Sequence, residues 1–192
     1  TMTARFITTT ETAKLIRAAL KSAFPGSAFS VKSSRYSGGC HVSVNWTDGP
    51  TSDQVKDITS PFDGSTFDAM IDLKSYHDSE YQGEAVHFSN DGTNLNRSYS
   101  VAFLTKAVTF ICKRNGYQMP AITESGGSAW IAGDYYVEAS QCHLQTLLWH
   151  EYQHFSGACI DNLEVYAALA DWLDDLSWRL FYPFIQAQGK AA

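Results

Sequence analysis

Residues His150-Glu151-Tyr152-Gln153-His154 bring two imidazoles and a carboxylate together in one short run. On a helix, residues four apart share a face, so His150 and His154 can offer two neutral nitrogens to a single ion. Such nitrogens suit zinc, which lowers the pKa of a bound water toward about 7. Glu151 stands beside that water and can take its proton as the water attacks a carbonyl. Around the motif, Cys142 to Phe155 holds no Pro or Gly, and Leu144, Leu147, Leu148 and Phe155 recur at helical spacing. Gly157 sits where such a helix would stop. The competing reading is two half-buried histidines on an amphipathic helix.

A zinc site needs a third protein ligand. Asp161 is close in sequence, and Ile160 stands where a third His would follow Gly157. Glu164, in DNLEVYAALADWLDDLSW, is the stronger candidate, because a second helix can return its carboxylate to the ion. Asp161 and Glu164 also read as a capping box, with Glu164 reaching back to a backbone N–H. Both roles stay open. Cys159 lies between the two helices and is either a further donor or a small buried apolar residue. His143 precedes His150 by one heptad and suits the surface or a supporting position better than the ion.

With these residues in place, the C-terminal half resembles the gluzincin branch of zinc metallopeptidases. The resemblance implies Zn2+ held by His150, His154 and Glu164, with Glu151 as general base. The related three-histidine zincin pattern holds only as far as Gly157. The resemblance also implies an edge strand that pairs with an extended peptide substrate. Trp130 to Val137 occupies that place in the order, making Trp130, Tyr135 and Tyr136 candidate substrate contacts. An oxyanion stabiliser has four candidates in Tyr135, Tyr136, Tyr166 and Tyr182.

The elements that would position this site read as follows. Asn94 to Ser98 is polar and reads as a connecting loop, with a domain boundary near residue 95. YSVAFLTKAVTFICKRNG predicts a helix capped by Ser100 and ended by Gly116. Gly126-Gly127 breaks the chain, and SAWIAGDYYVEAS predicts a strand or a hairpin about Gly133-Asp134. A final helix runs from Asn162 to about Phe181, ended by Pro183.

Upstream, Thr8 and Glu11 form a capping-box signature before a helix carrying Leu15, Ile16, Ala19, Leu20 and Phe24. AFSVKSSRY and HVSVNW alternate apolar and polar residues about Ser37-Gly38-Gly39, a hairpin signal. Thr47-Asp48-Gly49-Pro50 turns the chain into a short helix, SDQVKDITSPF. FDAMIDLKSYHD is mixed in period, and GEAVHFSND reads as a strand. The run from TAKLIRAALKSAF through YSGG, WTDGP and FDAMIDLKSYHD resembles the large polyvalent protein-associated domains of phages and conjugative elements, over about residues 9–90. That resemblance implies a genomic setting and carries no catalytic residue. His41, His77 and His87 are isolated and read as structural.

The expected fold is α+β: a small helix-hairpin-helix α+β domain over 1–95, then a minimal zincin-like domain over 96–192. The 44% apolar content of 192 residues is enough for real cores. No apolar run approaches the about 20 residues that span a bilayer, and the start carries no signal-peptide core. Four unpaired-looking cysteines (40, 112, 142 and 159) suit the reducing cytoplasm of a bacterial host. The net charge of −6 opposes bulk attraction to nucleic acid, but its distribution is uneven. Residues 1–47 carry Arg5, Lys14, Arg17, Lys21, Lys32 and Arg35 against Glu11 alone, whereas residues 48–95 hold ten acids against Lys56 and Lys74. The expected function is therefore a zinc metallopeptidase of a phage or mobile element, acting on a peptide or protein. Against it stands a mobile-element binding module, for nucleic acid or a host-defence protein, with structural or vestigial zinc. An interaction protein in which the motif is accidental is the third reading.

Overall fold

In the computed structural model, which describes residues 4–163 and 165, the chain runs from β1 (Arg5–Ile7) into α1 (Thr9–Ala23) through the predicted capping box. Thr8 Oγ1 accepts from the Glu11 N–H at 3.3 Å, and Glu11 Oε2 accepts from the Thr8 N–H at 3.0 Å. Ile16 and Leu20, four apart on one face of α1, are fully buried. They pack with Val31, Val42, Val44 and Trp46 of the hairpin formed by β2 (Ser30–Tyr36) and β3 (Gly39–Thr47). The register sets Val31 opposite Val44, so alternation turns the apolar residues to one face and Lys32, Ser43 and Asn45 to the other.

The WTDGP turn then leads into α2 (Ser52–Thr59), whose Val55 joins the same core. Asp48 and Gly49 both have positive φ, 55° and 44°. Trp46 Nε1 donates to the Pro50 carbonyl at 2.8 Å, and Arg97 Nε donates to the Asp48 carbonyl at 2.7 Å. Asp48 therefore serves a turn. The mixed-period stretch folds as a two-stranded hairpin of β4 (Ser65–Asp68) and β5 (Leu73–Tyr76). β6 (Ser79–Tyr81) and β7 (Glu84–Phe88) pair antiparallel, and β1 joins β7 in parallel with Ile7 opposite Phe88.

Asn94 to Ser98, expected to be a connecting loop, instead falls in β8 (Thr93–Ser98), paired in parallel with β3. Leu95 is its one apolar residue, so the sequence shows no alternation; backbone pairing with β3 and the half-buried Leu95 hold the strand. The boundary expected near residue 95 lies inside this strand. The chain divides into two compact units, Thr1–Ser98 and Tyr99–Ala192.

In the second unit, α3 (Val101–Asn115) starts at Ser100, whose Oγ accepts from the Phe103 N–H at 3.1 Å, and ends at Gly116 with φ 69°. Phe103, Leu104, Ala107, Val108 and Ile111 line its buried face at helical spacing. That face packs on β10 (Ser128–Ala132), which hairpins with β9 (Ala121–Ser125) about Gly126-Gly127. The turn thus falls at Gly126-Gly127, not at Gly133-Asp134, because two consecutive glycines with positive φ close the hairpin directly. A short pair of β11 (Tyr136–Val137) and β12 (Cys142–His143) then delivers the chain to α4 (Leu144–Tyr152). Leu144 and Leu148, both fully buried, fasten α4 to the core beside α3. Each such burial stabilises the unit by about 1.5–3 kcal/mol.

Both units mix helices with small sheets, and among the described residues four α-helices are present. None of the described helices is long and apolar enough to cross a membrane.

Candidate metal centre

The core places the motif at the end of α4. Leu144 and Leu148 point inward, so His150 and Glu151 fall in the last helical turn. The sequence predicts a helix continuing through His154; the helix instead ends at Tyr152. The His154 N–H donates to the Glu151 carbonyl at 3.2 Å, and the Phe155 N–H donates to the Tyr152 carbonyl at 3.0 Å. These three-residue bonds tighten the winding after α4, and Phe155 and Ser156 turn into the core. The four-residue repeat that would align the two imidazoles therefore stops short of His154.

His150 and His154 are both exposed, and the His150 ring meets Trp149 edge-on at 5.1 Å. Glu151 is turned differently. One residue along a helix is a rotation of about 100°, enough to carry its side chain toward α3. There Asn115 Nδ2 donates to Glu151 Oε1 at 3.4 Å and to the Ile111 carbonyl at 3.0 Å. Burial pushes the Glu151 carboxyl above the usual carboxylate range, against the opposing pull of the Arg114 charge and the Asn115 hydrogen bond. Burial likewise raises the neighbouring Cys112 thiol, with the Glu151 charge adding to the effect. Tyr152, packed edge-on against Tyr99 at 5.1 Å, is pushed by burial up to about 12 and stays a neutral phenol.

The proposed third ligand, Glu164, lies outside the described residues, as do Tyr166, Tyr182 and most of the final predicted helix. Asp161, the alternative ligand and possible cap, is exposed and ion-paired with Lys106. Cys159 is buried, its Sγ accepting from the Ser156 hydroxyl at 3.1 Å. Among the described residues no three His, Cys, Asp or Glu side chains group to hold a metal. In donor type the set fits zinc: two exposed imidazoles beside a desolvated carboxylate. Of the three ligands that the sequence assigns, His150 and His154 lie among the described residues.

Two supporting relationships escape sequence reading. Asn115 is one; nothing in its position at the end of α3 announces a partner on α4. The other is Asp134, whose Oδ1 accepts from the Gln145 N–H at 3.0 Å and whose Oδ2 lies 2.9 Å from His143 Nδ1. His143 precedes α4 without capping it, so Asp134 caps that helix from a distant loop. His143 lies in β12, outside the helical face that it shares with His150 by spacing.

The candidate substrate contacts are exposed: Trp130 by 53%, Tyr136 by 45% and Tyr135 by 37%. The Tyr136 ring stands edge-on to His143 at 5.5 Å, and the Tyr135 hydroxyl accepts from the Gln118 N–H at 2.9 Å. Along the side of β10 away from β9, the Ala129 N–H donates to the Tyr99 carbonyl at 2.7 Å. On the same side, Gln145 Nε2 donates to the Ile131 carbonyl at 3.2 Å. The protein's own groups thus hold two of the positions that an added strand would use.

Residues 7–100 match the family described as large polyvalent protein associated domain 29. The match takes in the whole of α1, the β2–β3 hairpin, α2 and β8, and it supports the association with phages and mobile elements that the resemblance carries. No curated protein and no solved structure is significantly similar to the chain.

Proposed function

We propose that the second unit is a zinc-dependent peptidase carried on a phage or mobile-element protein. The observation that carries this reading is the setting of Glu151. A carboxylate directly after His150 is half-buried and braced by Asn115, and its burial makes it a stronger base than an exposed carboxylate, which suits a general base. His150, His154 and Glu164 would hold the ion, and bound zinc would supply Lewis acidity to the water and to the scissile carbonyl. Glu151 takes the proton of the attacking water and returns it to the amine as that amine leaves. The exposed rings of Trp130 and Tyr136 offer apolar surface for a peptide.

The test is zinc content of the purified chain beside His154→Ala and Glu164→Ala, followed by cleavage of a peptide library. Stoichiometric zinc, its loss in both variants, and metal-dependent cleavage are expected. A zinc-free unchelated protein would sink the reading.

A second reading, a binding module that retains zinc without hydrolysis, draws on the β10 edge. Two of its outward positions are already bonded within the unit, leaving less backbone for an extended substrate. Zinc bound with no cleavage of any library member would favour it.

A further inference from the structure

The first unit segregates its charge, and the fold sharpens the segregation into a surface. Lys14, Arg17 and Lys21 are spaced three and four apart, so they form one exposed stripe along α1. Arg17 anchors that stripe: its guanidinium donates to the Val31 carbonyl at 2.6 Å, laying the flank of α1 against the outer side of β2. β2 is the edge of its sheet and adds exposed Lys32 and Arg35, on opposite faces of the strand. None of the five forms a salt bridge among the described residues, although Lys14 stands one helical turn from Glu11 and acts on that carboxylate. Elsewhere in the unit Arg5 pairs with Glu84 at 3.8 Å and Lys74 with Asp91 at 2.6 Å. In a unit whose second half is strongly acidic, Lys14, Arg17 and Lys21 on α1, with Arg35 on the strand face that carries Val31, leave a band that a polyanion can neutralise, while Lys32 lies on the opposite face.

We propose that this band, the α1 flank with the β2 edge, docks on the phosphate backbone of duplex DNA. From Lys14 to Lys21 the stripe runs about 10 Å at a helical rise of about 1.5 Å. Over that length each strand of a duplex presents about three phosphates, one per about 3.4 Å, which the three cations of the stripe match. The exposed hydroxyls of Ser33, Ser34 and Ser37 lie on the same hairpin and can donate to phosphate oxygens. An anionic membrane fits less well, because the apolar residues of α1, Ile16 and Leu20, are spent in the core and its exposed flank offers Thr10, Glu11, Ala18 and Ser22 beside the cations and no large apolar side chain. A single strand fits less well too, since Tyr36 is the one exposed aromatic on the band and a stacking platform needs several. The proposal concerns the first unit alone and stands whether or not the second unit binds zinc.

The experiment is anisotropy of a short fluorescent DNA duplex of arbitrary sequence, titrated with the full chain over a range of salt. Binding at low salt that weakens linearly in log[salt] is expected. The Lys14→Gln/Lys21→Gln double variant should lower that slope by about 1.8, at about 0.9 per phosphate contact, and weaken binding several-fold at low salt. Lys56→Gln, an exposed cation on α2 and outside the band, should leave slope and affinity unchanged, and all variants should keep the parent melting temperature. No binding to the duplex overturns the proposal. So does equal loss in Lys56→Gln, an unchanged slope in the double variant, tighter binding to a single strand, or binding to phosphatidylserine vesicles but not to DNA.

Discussion

Asn115 Nδ2 lies 3.4 Å from Glu151 Oε1, so the acid of the HExxH motif is braced from the last turn of α3 and not from its own helix. The hydrogen bond favours the charged form of a carboxyl that burial otherwise disfavours. Asn115→Ala should therefore raise the Glu151 pKa further. In the proposed peptidase this moves the acidic limb of the kcat/KM profile to higher pH and leaves zinc content intact. An unshifted limb would separate Asn115 from the chemistry.

Glu151→Gln keeps the volume of the side chain and its contact with Asn115 but removes the base. Zinc content should stay at the parent level while hydrolysis falls by about 100-fold or more. Retained cleavage would mean that the proton goes elsewhere.

Asp63 gives a stability test in the first unit. Its carboxylate accepts from Asn90 Nδ2 at 2.9 Å and from the Thr93 hydroxyl at 2.8 Å, yet burial still raises its pKa above the ordinary range. The folded state therefore holds this proton more tightly than the unfolded chain. Its contribution is most favourable below the ordinary carboxylate range and falls as pH rises through the window between the ordinary and the raised value. Asp63→Asn keeps an acceptor oxygen and should flatten that fall in urea midpoints measured against pH. Parallel curves for parent and variant would assign the pH dependence to other groups.

Gly64 is required by contact and not by its backbone angles. A Cβ added there would lie 1.7 Å from the Phe88 carbonyl oxygen, a backbone atom that cannot swing aside. The Gly64 N–H also donates to the Asn90 carbonyl at 2.7 Å, which fixes the approach. Gly64→Ala should cost about 3 kcal/mol of stability, read from denaturant unfolding. A loss within experimental error would show that β7 can retreat.

What the sequence made legible follows from locality. The Thr8–Glu11 box, the Ser100 cap, the αL Gly116 and the β2–β3 alternation each act over a few residues, and each appears in the structure. The parallel pairings of β1 with β7 and β3 with β8 join residues far apart in the chain, and three-residue β1 is too short to show a period. For the candidate site, spacing sets His150 and Glu151 on one helix but cannot show that the winding tightens before His154. That change depends on Phe155 and Ser156 being drawn into the core. The brace from Asn115 and the remote cap from Asp134 are tertiary facts with no local signature.

Ser98 and Tyr99 are neighbours whose carbonyls serve different masters: the first accepts from Asp48 at 2.8 Å, the second from Ala129 at 2.7 Å. For anyone dissecting the protein, or for recombination that shuffles its halves, the seam is a single peptide bond. A junction set at residue 95 would cut β8 in half, remove its pairing with Asn45, Trp46 and Thr47 of β3 and strip the WTDGP turn of Arg97, so a first half cut there should emerge as an unfolded or protease-sensitive fragment.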